Sequence, residues 1–128
     1  MQNFVKTVTW VLGIVLTLVG ILGFFNDPVL GIFEVDGIHN VVHLLSGVIA
    51  LGAAASGESY ARLYLIVFGI VYGLVTVLGF VMVDNVLGLI TVNTADNYLH
   101  AAIAIVCLGV GLGSGKKTAS PNGQVTPM

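Results

Sequence analysis

Four long apolar runs, over residues 4–25, 38–56, 61–83 and 95–112, are separated by short polar breaks along the chain. Each run holds about 20 residues, which at a helical rise of about 1.5 Å per residue crosses about 30 Å of hydrocarbon. A helix satisfies its own backbone hydrogen bonds, as a segment in lipid must. The pattern therefore predicts an all-α membrane protein with four transmembrane helices. The first run carries Lys6 near its start, as a leader peptide would, but it is long and no small-x-small cleavage pattern follows. It is read as a span.

Composition strengthens this picture. Of 128 residues, 57% are hydrophobic and 8% charged, against roughly 25% charged in ordinary soluble domains. The mean hydropathy is +1.06. The partner implied for most of the surface is the lipid bilayer, and the chain has no basic patch for nucleic acid. The single cysteine, Cys107, lies within the fourth run, so no intrachain disulfide can form. It is expected to pack as a small apolar residue.

The few charges order the topology. Lys6, Arg62, Lys116 and Lys117 fall at the N-terminus, between runs two and three, and after run four. With four helices these places share one side, which the excess of basic residues marks as cytoplasmic. Asp27, Glu34, Asp36, Asp84 and Asp96 lie in or beside the two opposite loops, near residues 26–37 and 83–94. Both termini are thus expected in the cytoplasm. Tyr60 and Tyr64 flank Arg62 as interfacial anchors would, and Tyr98 sits near the outer face. Residues 1–115 form one expected domain; residues 116–128, rich in Gly, Ser, Pro and polar side chains, read as a disordered cytoplasmic tail.

Self-comparison reveals an internal repeat. "GIVLTLVGILGF" from residue 13 matches "GIVYGLVTVLGF" from residue 69, at a spacing of 56. At a spacing of 57, "VLGIFEVDGIHNVVH" matches "VLGLITVNTADNYLH". Valine and leucine identities mean little between apolar segments, but Asn40 with Asn97 and His43 with His100 recur in register. The expected units are residues 4–56 and 61–113. Each holds two helices, so both enter the membrane from the same side and are related by a pseudo-two-fold along the membrane normal. A short link between the units fits an up-down four-helix bundle. Repeat-paired glycines, Gly13 with Gly69, Gly23 with Gly79 and Gly52 with Gly109, are candidates for close helix approach.

The candidate chemistry lies at the outer ends of helices two and four. His39 and His43 are four apart and share a helix face, and the symmetry brings Asp96, Asn97 and His100 to the corresponding place. Ionisable groups at this depth usually face the bundle interior with a partner. Three arrangements are reasonable. In a polar network, Asn40, His43, Asp96, Asn97 and His100 hold one another and fix helix register. Alternatively His39, His43, Asp96 and His100 hold zinc or a similar ion, since paired histidines with a carboxylate suit tetrahedral coordination. In the third, His43 and His100 are axial ligands to a haem between helices. Asp96 in the first turn of helix four, capped by Asn93 or Thr94, also has a purely helix-stabilising reading, and Asp36 with Gly37 starts helix two. Tyr72 and Thr76 are the other polar groups at membrane depth.

The segments "VLGIFEVDGIHNVVHLLSGVIAL", "FGIVYGLVTVLGF" and "VNTADNYLHAAIA" resemble the bacterial membrane family known as domain of unknown function 4383. The resemblance covers residues 4 to about 113 and implies a small four-helix protein of the bacterial inner membrane. Its N-x-x-H-L-x-x-G signature falls on Asn40, His43, Leu44 and Gly47, and its D-N-x-x-H signature on Asp96, Asn97 and His100. His39 lies outside both. The family brings no established activity.

The chain contains no phosphate loop, no Ser-His-Asp order and no CxxC, so the reading leans away from an enzyme. It is expected to be a structural or partner-binding membrane protein without a cofactor, self-association or another membrane protein being the partner. Zinc or haem binding through the histidines is the alternative. A small transporter or proton-conducting subunit comes third, since few polar groups at membrane depth could line a path.

Overall fold

The computed structural model describes residues 2–113. Its helices are α1 (Gln2–Gly23), α2 (Gly37–Ser56), α3 (Glu58–Met82) and α4 (Thr94–Gly113), with two short strands, β1 (Asn85–Val86) and β2 (Ile90–Thr91), between the last two. All four helices are long and apolar enough to cross a membrane. Each coincides with one apolar run, its ends differing by a few residues, as helix boundaries commonly do. The tail expected to be disordered lies outside the described residues.

Side chains are distributed as lipid solvation demands. Ile14, Leu18, Leu74, Val77 and Ile105 face outward, where acyl chains replace water. Val5, Leu16, Ala50, Leu65, Tyr72 and Cys107 form the core, and the polar Thr9, Ser46, Asn40, Asn97 and all three histidines are buried with them. Cys107 is the small buried residue the sequence suggests. Two threonine hydroxyls at depth are satisfied within their own helices: Thr9 Oγ1 donates to the Val5 carbonyl at 2.8 Å and Thr76 Oγ1 to the Tyr72 carbonyl at 2.7 Å.

The main packing is between chain neighbours, α1 along α2 and α3 along α4. A Cβ on Gly13 would lie 2.7 Å from Leu51 Cδ2, and one on Gly69 2.7 Å from Leu108 Cγ. Lipid gives helices no hydrophobic drive to associate, so such close backbone approach is where dispersion contacts accumulate. Gly52 and Gly109 behave otherwise: neither has a neighbour within 4 Å of a built Cβ, so that pair makes no helix contact. The backbones of α2 and α4 stay more than 8 Å apart, leaving side chains to span the gap.

Gly57 alone joins α2 to α3. Its φ of +133° is costly for any L side chain. Its amide closes α2 on the Ala53 carbonyl, and its carbonyl accepts from Ala61 at the start of α3. Beside it Arg62 pairs with Glu58 one turn back. Tyr60 is exposed as an interfacial residue should be, whereas Tyr64 turns inward and donates to the Ser46 carbonyl at 2.9 Å. Tyr98 is exposed and meets Phe80 edge to face.

The loops at the other end share a local design. In "VLGI" and "VLGL", Leu30 and Gly31, like Leu87 and Gly88, have positive φ, the backbone signature of a type I′ turn. Val29 pairs with Phe33 and Val86 with Ile90 across these turns. The loops are also tied together. Asn93 Nδ2 donates to the Ile32 carbonyl at 2.8 Å, and the Thr91 amide donates to Asp36 Oδ2 at 2.8 Å. They therefore lie at one end of the bundle and close over the N-terminal halves of α2 and α4.

Candidate metal centre

Asp36 starts the site. As the N-cap of α2 it accepts the His39 amide on Oδ1 at 2.8 Å, satisfying one of the free donors of the first turn. Its other oxygen holds Thr91 of the second loop. Burial pushes the Asp36 carboxyl up, but the hydrogen bonds from His39 and Thr91 outweigh it and hold the group below the ordinary carboxylate value. One carboxylate thus fixes where α2 begins and where β2 sits above it.

The fixed position of Thr91 orients His39. His39 Nδ1 lies 2.8 Å from the Thr91 carbonyl, which can only accept, so the proton is assigned to Nδ1 and the lone pair to Nε2. That Nε2 is buried without a hydrogen-bond partner. One turn on, His43 meets His39 edge to face with ring centroids 4.4 Å apart. From α4, His100 reaches across the gap to 5.4 Å from His39 and 5.7 Å from His43.

All three rings are 1% exposed, and one ligand nitrogen from each lies within 4.8 Å of the others. Both nitrogens of His43 and both of His100 also lack hydrogen-bond partners. Each buried polar group left unpaired costs about 1–3 kcal/mol. Three of these nitrogens, one from each ring, come together, a donor set that suits a ligand able to accept lone pairs. A cavity of about 20 Å³ touches the triad, lined by His39, Val42, His43, Val71, Tyr72, Val75, Ile90 and His100. It has room for about one water-sized species.

Other residues anticipated from the sequence stand apart from this point. Asp96 is fully buried, but it completes a reciprocal cap with Asn93: the Asn93 amide donates to Asp96 Oδ2 and the Asp96 amide to Asn93 Oδ1, both at 2.9 Å. The triad therefore brings together three of the four anticipated metal ligands. Asn40 packs on Gly23 of α1 and Asn97 on Gly79 of α3; a Cβ on these glycines would come within 2.6 Å of Asn40 Cγ and 2.9 Å of Asn97 Cγ. The asparagines fill notches in their own hairpins, and the anticipated five-residue network divides into separate devices.

Two participants were illegible in the sequence. Thr91 acts through its carbonyl, which every residue has, and Asp36 reveals its cap by position but not its reach across the second loop. Tyr72 lies beside the triad, with its ring 5.6 Å from His100 and stacked 6.5 Å from His43. The sequence identified it only as a polar group at membrane depth.

Comparison with curated proteins and with solved structures finds no match. A family model does match, over residues 6–113, which takes in all but the first turn of α1, the other three helices and the whole triad. With four helices long and apolar enough to span a membrane, the chain belongs to the family described as Domain of unknown function (DUF4383).

Proposed function

We propose that this protein binds a transition-metal ion through His39, His43 and His100, at a centre buried between the outer ends of α2 and α4. The observation that carries the reading is the convergence of three imidazoles, all buried, with ligand nitrogens within 4.8 Å of one another and five ring nitrogens lacking hydrogen-bond partners. The Thr91 carbonyl on His39 Nδ1 supports it further. Metal-bound histidines commonly donate their second ring nitrogen to a carbonyl or carboxylate, which fixes the tautomer and the ring.

The surrounding architecture is read as a tandem duplication in the cytoplasmic membrane of a bacterium. Matched devices support the duplication: Asn40 on Gly23 and Asn97 on Gly79, Gly13 on Leu51 and Gly69 on Leu108, and the two positive-φ Leu-Gly turns. In this reading the asparagines lock each hairpin, and a pseudo-two-fold along the membrane normal relates the hairpins. The distribution of Lys6, Arg62, Lys116 and Lys117 supports a reading with the termini in the cytoplasm and the loops over the triad on the far side. An ion would then reach the centre from outside.

Purified protein, stripped with chelator and reloaded, should retain one equivalent of metal per chain, measured by elemental analysis. His39→Ala, His43→Ala and His100→Ala should each lose it. Substoichiometric metal in the parent after loading with zinc and with copper would falsify the reading.

A further inference from the structure

The triad also carries information about which ion it takes. We infer that it is a three-coordinate site for a monovalent soft cation, copper(I), an inference that rests on the metal-binding reading above.

The first observation is the ligand count. Three imidazoles converge, and the remaining side chains around the adjoining cavity are Val42, Val71, Tyr72, Val75 and Ile90. No carboxylate or thiolate lines it. Asp96, the carboxylate whose place in the repeat corresponds to His39, accepts from Asn93 on Oδ2 and is not among the converging ligand atoms. Zinc completes four-coordination, and in three-ligand sites it keeps a water or substrate in the fourth position. A cavity of about 20 Å³ with mostly apolar walls gives such a water few partners to hold it. Copper(I), a closed-shell d¹⁰ ion, is stable with three nitrogen donors in a plane.

The second observation is charge. Neutral imidazoles leave the full charge of the ion on the centre, at membrane depth, where burying charge is costly. That cost rises with the square of the charge, so a divalent ion carries about four times the burden of a monovalent one. One carboxylate is hydrogen-bonded into the frame of the triad: Asp36, through the His39 amide and through Thr91, whose carbonyl holds the His39 ring. A single negative charge behind the ligands balances a single positive charge among them. Asp36 by itself would leave half the charge of a divalent ion uncompensated.

The test uses the full-length protein in lipid nanodiscs, stripped of metal and handled without oxygen. Copper(I) is presented against a bicinchoninate competitor and zinc(II) against a chromogenic zinc chelator. One equivalent of copper(I) is expected, bound at least about tenfold more tightly than zinc, a difference of about 1.4 kcal/mol. X-ray absorption of the loaded parent should show a three-coordinate copper(I) edge and three nitrogen scatterers, a readout that depends on no variant. His43→Gln and His100→Gln should each abolish high-affinity copper binding. Zinc bound as tightly as copper(I) or more so, or a loaded copper site with a fourth ligand, overturns the monovalent three-coordinate assignment and leaves the metal-binding reading standing. Binding of neither ion removes both.

Discussion

Gly79→Ala is the most informative single substitution in the scaffold, because two physical effects oppose each other there. In an ordinary helix, alanine in place of glycine stabilises by up to about 1 kcal/mol through backbone entropy. Here a Cβ would sit 2.9 Å from Asn97 Cγ and nearer still to its Oδ1, whereas relaxed carbon–carbon contacts lie at about 3.5–4.0 Å. Asn97 must withdraw by about 1 Å. It is 4% exposed, so withdrawal means displacing packed neighbours or separating α3 from α4. Overpacking of this kind costs about 1–3 kcal/mol, which outweighs the entropy gain. The expected result is net destabilisation in mixed micelles, measured by SDS titration with circular dichroism as the signal. Gly23→Ala, aimed at Asn40, should cost a similar amount if the two hairpins are equivalent. Adding Asn97→Ala to Gly79→Ala removes the obstructing group, so the double variant should be more stable than the sum of the singles by at least about 1 kcal/mol. A neutral or stabilising Gly79→Ala, or strict additivity in the cycle, would refute the notch-and-lock account.

Three other outcomes are expected. Because the Asp36 carboxyl is held below its ordinary value of 3.8, its contribution is complete above that value and is lost as pH falls through the lower folded one. Melting temperature in detergent should accordingly drop on acidification below about pH 4, and Asp36→Asn should flatten that part of the profile; an unchanged slope would remove Asp36 from the loop tie. Cys107, 1% exposed, should resist maleimide in native membranes and react once the protein is unfolded in SDS, so rapid native labelling would contradict its packing. Single cysteines placed at Glu34 and at Ser59, in a Cys107→Ala background, should label from opposite faces of the membrane. Labelling of the Glu34 position from the cytoplasmic side would invert the proposed topology.

By itself the sequence determined the number of helices and their approximate ends, because lipid imposes a length and an apolarity that can be read one residue at a time. It also gave the Asp36 cap, since capping acts over three residues. Tertiary structure decided which polar groups meet. From spacing alone Asp96 was as good a ligand as His39, yet Asp96 turns back on Asn93 while His39 joins His43 and His100 across a gap that their backbones do not close. Asn40 and Asn97 read as partners of the histidines, and the fold instead seats each on a glycine of the preceding helix. The glycine pairs divide in the same way: Gly13 and Gly69 meet leucines, whereas Gly52 and Gly109 meet nothing within 4 Å. The physical reason is common to all of these. Helix periodicity fixes the face on which a side chain lies, but what that face touches depends on helix rotation and separation, which are set by the summed packing of the bundle and by one backbone carbonyl, that of Thr91, which no side-chain pattern encodes.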